Sequence, residues 1–151
     1  MADVNRGVST VVGYVVNLGV ATMLIVGLLT AAGTLVGDQR ERAARAELDV
    51  IGGRIAADIE TADRLLRASD SGYVRVETSL PRTVAGRPYD ITIKRSGNEV
   101  TIVLEMRNPD VTVTVPVNNE TEISPTSLSG GMVVITGSDD GPLTLNNEES
   151  I

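Results

Sequence analysis

The side chains that perform most enzyme chemistry are scarce in this sequence. It contains no histidine and no cysteine, which removes the usual acid–base catalyst near neutral pH, the commonest metal ligand and any thiolate nucleophile. The carboxylates Asp58, Glu60 and Asp63 lie among arginines at spacings of three or four residues, a pattern typical of surface ion pairs on a helix. We therefore expect no enzymatic activity, no metal site and no cofactor.

Two short motifs suggest other chemistry. Asp139-Asp140 lies between glycines in a polar stretch and offers carboxylate oxygens to calcium, but the ligand series of an EF-hand is missing, so an acidic turn is the better interpretation. Asn119-Glu120-Thr121 is a sequon for N-glycosylation. Asn119 is a glycan acceptor if this part of the chain lies outside the cell, and the alternative is a chance match.

Charge is distributed unevenly along the chain. The sequence has 20 acidic and 13 basic residues, a net charge of −7. Residues 38–107 contain 12 of each sign, whereas the stretch after Arg107 contains seven acidic residues and no basic one. An acidic surface repels nucleic acid, so we expect no nucleic-acid partner.

The most extensive feature of the sequence is an apolar stretch near the N-terminus. No charged residue occurs between Arg6 and Asp38. About 20 apolar residues suffice to cross a bilayer as a helix. The apolar core of a secretory signal has only about 7–15 residues, so removal of this whole stretch by simple secretion is disfavoured. We predict a leader at residues 1–7 and a transmembrane helix at residues 8–37.

An amphipathic helix is predicted to follow over residues 38–71. Its apolar positions recur every three or four residues, at Ala44, Leu48, Ile51, Ile55, Ile59, Ala62 and Leu66. The pair Gly52-Gly53 interrupts this pattern and indicates either a bend or a place where another element approaches closely. The polar residues from Ser69 to Gly72 favour a turn that ends the helix.

Residues 72–151 change to a period of two, which is typical of strands. The alternating or apolar segments cover residues 73–80, 89–94, 100–106, 111–117, 132–136 and 143–145. Ser96-Gly97-Asn98 between two of them predicts a hairpin. The result is an α+β fold, in which a long N-terminal helix covers one small antiparallel sheet of five or six strands with its amphipathic half, in a lollipop arrangement.

The N-terminal residues resemble a known family. Arg6-Gly7-Val8-Ser9 resembles the charged–glycine–apolar–small junction of class III signals, which archaeal prepilin peptidases cut before the hydrophobic segment, here between Gly7 and Val8. The string from Arg6 to Gly13 is similar to the start of type IV pilin-like proteins of halophilic archaea. The resemblance covers about the first 40 residues.

This resemblance implies a subunit, major or minor, of a type IV pilus-like surface filament for adhesion or surface interaction. In such filaments the apolar helices bundle together, and small residues permit close approach. The residues expected to serve assembly are Gly13, Asn17, Gly27, Ala31, Gly33 and Gly37. Small residues are also common in any membrane helix. Asn17 is a registry device in a bundle, a contact within a membrane complex or a hydrated residue near the interface.

The implied partners are copies of the chain or related subunits, the prepilin peptidase, the pilus assembly platform and the membrane. The implied location is a single-pass membrane precursor whose mature form is at the cell surface or in an extracellular filament. Two alternatives remain: an anchored extracellular binding domain that does not polymerise and, least favoured, an anchored enzyme. Three arginines, Arg40, Arg42 and Arg45, follow the apolar stretch, whereas one, Arg6, precedes it. By this count alone, the positive-inside rule places the large domain in the cytoplasm.

Overall fold

The structure is a computed structural model that describes residues 4–68, 72–139 and 141–148, with side chains from residue 11 onward. Its elements are α1 (Val4–Ala68), β1 (Tyr73–Ser79), β2 (Tyr89–Ser96), β3 (Glu99–Met106), β4 (Val111–Val117), β5 (Thr126–Ser129), β6 (Met132–Ser138) and β7 (Thr144–Asn147). The chain divides into two compact units with the boundary between Gln39 and Arg40. The predicted α+β class, with a long apolar N-terminal helix and antiparallel sheet, is confirmed.

The strands of the second unit form two sheets. One has three strands in the order β1-β6-β7, and the other has four in the order β4-β3-β2-β5. Every pair of neighbouring strands is antiparallel. The prediction of one sheet with five or six strands is therefore wrong: the described residues contain two sheets and seven strands. The missed strand, β5, has four residues and only one buried side chain, Leu128, so it lacks the alternation that marks a strand.

Side chains and loops join the two sheets where β5 and β7 lie side by side. The side-chain amide of Asn147 donates to the backbone oxygen of Ser129 at 3.0 Å and accepts from its backbone nitrogen at 3.2 Å. Leu143 also exchanges backbone hydrogen bonds with Glu122 and Ser124, at 2.7 and 2.9 Å. Asn147 thus supplies the hydrogen bonds that a backbone ladder would supply between two strands.

The C-terminal part of α1 packs on both sheets. All seven apolar positions predicted from the helical spacing are buried, which confirms the stripe. Asp58 on the helix accepts a hydrogen bond of 2.6 Å from the hydroxyl of Thr78 on β1. At Gly52, an added Cβ would lie 2.7 Å from a methyl of Val115 on β4 and 2.8 Å from one of Leu104 on β3.

These distances decide between the two interpretations of the glycine pair. Helix α1 continues through Gly52 and Gly53, and the four-stranded sheet approaches the helix closely at Gly52. Gly53 faces open space. The predicted end of the helix at residues 69–71 lies outside the described residues, and Gly72 follows with a φ of 65°.

The predicted hairpin is also confirmed. β2 and β3 pair from Tyr89 with Met106 to Ser96 with Glu99, and the connecting Gly97 has a φ of 63°, a conformation that glycine adopts without steric cost. At the start of β2, the buried Tyr89 donates its hydroxyl to the Pro81 carbonyl at 2.7 Å. Burial, with a smaller contribution from the charge of Glu47, raises the pKa of Tyr89 to about 12.

Candidate functional site

The apolar segment is the stretch of α1 from residue 11 to residue 37. All of its side chains are exposed, with large apolar residues ranging from Val36 at 50% to Met23 at 80% exposure. Its most apolar window of 18 residues has a mean hydropathy of 2.1 and is 0% buried. Among the described residues, α1 is the one helix that is long and apolar enough to cross a membrane. Such a surface requires an apolar environment from outside the chain.

The three threonine hydroxyls of this segment are satisfied by the helix itself. Each donates to a backbone carbonyl three or four residues earlier: Thr22 to Leu18 at 2.8 Å, Thr30 to Val26 at 2.9 Å and Thr34 to Ala31 at 2.9 Å. These threonines can therefore enter hydrocarbon without an unpaired donor. Asn17 differs, because its side-chain amide makes no hydrogen bond to any described residue. A lipid or protein environment at this depth favours a partner for that amide from another chain.

Helical geometry separates the predicted assembly residues into two groups. At about 100° per residue, Gly13, Asn17, Gly27 and Ala31 fall within about 80° of one another. Gly33 and Gly37 lie about 80–160° around the helix from the members of that group. No atom lies within 4 Å of a Cβ built at any of the four glycines, so both faces are open to a neighbouring helix.

The predicted cleavage junction, Arg6-Gly7-Val8-Ser9, lies within the first turns of α1. Its side chains are outside the described part of the structure, as are residues 1–3 of the predicted leader. Cleavage between Gly7 and Val8 remains a prediction from the sequence.

A second polar site lies where α1 meets the loop of residues 118–121, which we call the Asp63 loop. The Asp63 carboxylate is 2% exposed. It accepts backbone hydrogen bonds from Thr121 at 2.9 Å and from Glu120 at 3.3 Å. Arg67 contacts Asp63 at 3.2 Å and Glu120 at 3.0 Å, and so bridges the helix and the loop. The predicted ion pair at a spacing of four residues is present between Asp63 and Arg67, but Asp63 is buried and is not an ordinary surface residue.

The surroundings of Asp63 favour its ionised form. Burial alone would raise the pKa of this carboxyl, but the hydrogen bonds from the Thr121 side chain and backbone and from the Glu120 backbone, with the charge of Arg67, outweigh burial and lower the pKa below 3.8. Asp63 is therefore a carboxylate at neutral pH and holds the loop by charge-assisted hydrogen bonds. The only sequence signal for this role is its position beside the buried Ala62.

The sequon belongs to this loop. The side-chain nitrogen of Asn119 donates to the Thr121 carbonyl at 2.7 Å and is partly buried, while the Thr121 side chain and backbone bond to Asp63. A groove beside it is lined by Glu60, Asp63, Arg64, Arg67 and residues 118–120. The asparagine nitrogen that would carry a glycan is thus already engaged in the folded loop, and glycosylation of Asn119 remains a prediction.

The remaining polar motifs are placed as follows. The backbone nitrogen of Asp139 donates to the Gly72 carbonyl at 3.0 Å, and Asp140 lies outside the described residues. Within the described ranges, no group of three or more acidic side chains is arranged to hold a metal ion.

Arg45 pairs with Glu41 at 3.4 Å and donates to the Thr112 carbonyl at 3.3 Å, so this arginine after the apolar segment has a structural role in the folded domain.

Comparison with known proteins gives one match. No curated protein and no solved structure matches the chain. A family model described as a family of unknown function, DUF7266, matches residues 3–146, which includes the apolar segment, β1 to β6 and all but the last residue of β7. The chain therefore belongs to the DUF7266 family.

Proposed function

We propose that this protein is a subunit of a type IV pilus-like surface filament of an archaeon, assembled through its apolar segment after removal of residues 1–7. The observation that carries the proposal is the apolar segment, residues 11–37, whose side chains are all exposed and which follows the Arg6-Gly7 junction within one or two helical turns. A segment of this kind must be stable in lipid before assembly and against other helices afterwards. The β-rich domain is then displayed outside the cell for adhesion or surface interaction.

The polar groups of the apolar segment support helix assembly. Its threonine hydroxyls are paired within the helix, so transfer into an apolar environment costs little. Asn17 alone has an amide without a described partner, and it lies on the same helix face as Gly13, Gly27 and Ala31. Small residues around one polar side chain are the arrangement expected where two apolar helices approach closely and share a hydrogen bond.

A second candidate function is a single-pass anchored binding domain that does not polymerise. The observation that favours it is the number of arginines on each side of the segment, which is larger after it than before it, where only Arg6 occurs. The positive-inside rule assigns the side with more arginines to the cytoplasm. Two facts weaken this count. Arg45 already serves the folded domain through Glu41 and Thr112, and the short leader with its Arg-Gly junction has no role in an uncut anchor.

The test is the mass of the N-terminal peptide of the membrane-extracted protein, from cells with and without their prepilin peptidase. We expect a mature chain that starts at Val8 only when the peptidase is present. A Gly7→Leu variant should remain uncut, whereas the matched Gly13→Leu variant, away from the junction, should be processed normally. Intact termini in both strains would overturn the filament proposal and leave the anchored domain.

A further inference from the structure

The outward face of α1 in the folded domain is apolar and has no partner. It consists of a seam of five residues, Ala43, Ala46, Val50, Gly53 and Ala57, all of them exposed. Val50 is 72% exposed, although nearby apolar residues on the opposite face, such as Leu48 and Ile51, are buried under the sheets. This helix is therefore apolar on two sides, and its own domain covers only one.

The spacing of the seam is that of a coiled coil. Its residues alternate at three and four positions along the chain, which corresponds to positions a and d of two heptads. Glu60 and Arg64 occupy the next two such positions, so the apolar seam ends at Ala57. Alanine and glycine at most seam positions permit a second helix to approach closely, and Val50 lies at the centre as the largest apolar side chain.

Charged side chains flank the seam in a complementary order. Arg42 and Asp49 occupy positions g, and Glu47 and Arg54 occupy positions e. In a parallel, in-register pair of helices, each g residue meets the e residue five positions later on the other helix, and these contacts set partner choice and orientation. Arg42 then meets Glu47 of the second copy, and Asp49 meets Arg54 of the second copy. Both contacts join opposite charges.

These four charges are free to make such contacts. Among the described residues, the side chains of Arg42, Glu47, Asp49 and Arg54 form no hydrogen bond and no ion pair. Arg45 and Arg67, one on the sheet side of the same helix and one beside the Asp63 loop, are paired. Between Arg42 and Arg54 of α1, the charged side chains without such a bond are therefore the four that flank the uncovered face.

We propose that this face binds the same face of a second copy of the chain, in a parallel and in-register pair of α1 helices. Anchoring by the apolar segment supports the orientation, because two copies inserted into one membrane from the same side run parallel. The inference goes beyond the proposed function: it concerns the folded domain and applies equally to an anchored protein that never forms a filament.

The experiment uses disulfide cross-linking in membranes. The natural chain has no cysteine, so Val50→Cys introduces a single thiol at the centre of the seam without disturbing a buried group. Facing Cα atoms about 6 Å apart are within disulfide range. Mild oxidation of the full-length protein should give about tenfold more dimer than the control Glu105→Cys, an exposed position on β3 away from the seam.

Charge exchange in the Val50→Cys background tests the flanking contacts. Asp49→Arg places like charges together twice in a symmetric pair and should weaken association about tenfold. The double variant Asp49→Arg/Arg54→Asp restores opposite charges and should recover the dimer. A Val50→Cys yield equal to that of Glu105→Cys, an adduct with another protein in place of the homodimer, or a double variant as weak as Asp49→Arg would each overturn the proposal.

The N-terminal peptide mass of the same samples separates this inference from the proposed function. A chain that starts at Val8 but gives no Val50→Cys dimer retains the filament proposal and overturns the in-register pair. An uncut chain that forms the dimer supports the pair and overturns the filament proposal.

Discussion

Residues 11–39 and residues 40–68 belong to one helix, but their side chains are satisfied in different ways. In the first stretch every side chain is exposed, and the threonine hydroxyls bond to carbonyls within one helical turn. In the second stretch the apolar stripe is buried under two sheets, and Asp63 bonds to residues 57 and 58 positions away. Local hydrogen bonds allow the threonines of the first stretch to enter lipid or a helix bundle, whereas the buried face of the second stretch is committed to its own domain.

The prediction with the largest expected effect concerns a truncated chain in which the two regions are separated. A chain that begins at Asp38 should be soluble without detergent and should unfold cooperatively, because the buried residues of α1 begin at Ala44 and none of the core comes from the apolar segment. The measurements are sedimentation and thermal unfolding by circular dichroism. Residues 1–39 fused to a soluble reporter form the matched control and should carry the reporter to the membrane. A truncated chain without a cooperative transition would show that the domain depends on the apolar segment.

The difference between the regions also explains what could be predicted from the sequence. The buried stripe from Ala44 to Leu66 and the exposed apolar segment follow from patterns local to the helix, and both were predicted. The strand β5 was missed because Leu128 is its only buried residue. The role of Asp63 was missed because its partners in the loop are distant in sequence, and helical spacing carries no information about them. Local patterns thus predict which surfaces are apolar, but they do not predict which distant groups meet.

The glycine pair provides a second test, within the folded domain. Gly52→Leu should destabilise the domain by about 3 kcal/mol, because its side chain must displace the methyl groups of Val115 and Leu104, which lie 2.7 and 2.8 Å from the position of an added Cβ. The matched control is Gly53→Ala, which adds a methyl group to open space and should stabilise the helix by about 0.5–1 kcal/mol. Chemical denaturation of the two variants measures both effects.

Equal effects at the two glycines would contradict the close approach of the four-stranded sheet at Gly52. Neither change should alter membrane retention, because the apolar segment is unchanged in both variants. Loss of membrane retention in either variant would show that retention depends on the folded domain as well as on the apolar segment.

The smallest expected effect comes from Asp63 and depends on pH. Asp63→Asn should cost about 1.5 kcal/mol at pH 7, because it removes a carboxylate that accepts hydrogen bonds from the Asp63 loop. The pKa of Asp63 is lowered below 3.8 in the folded protein, so the stabilisation is fully present above the unfolded-state pKa and is lost as the pH falls through the folded-state pKa. The difference in melting temperature between the natural chain and the variant should be constant above about pH 5 and should shrink below pH 4. Glu105→Gln, at an exposed carboxylate on β3, is the control and should leave melting unchanged. A difference in melting temperature that persists undiminished at low pH would mean that Asp63 stabilises the domain through packing and not through its charge. The contrast between the locally bonded threonines and the remotely bonded Asp63 would then no longer involve a charge.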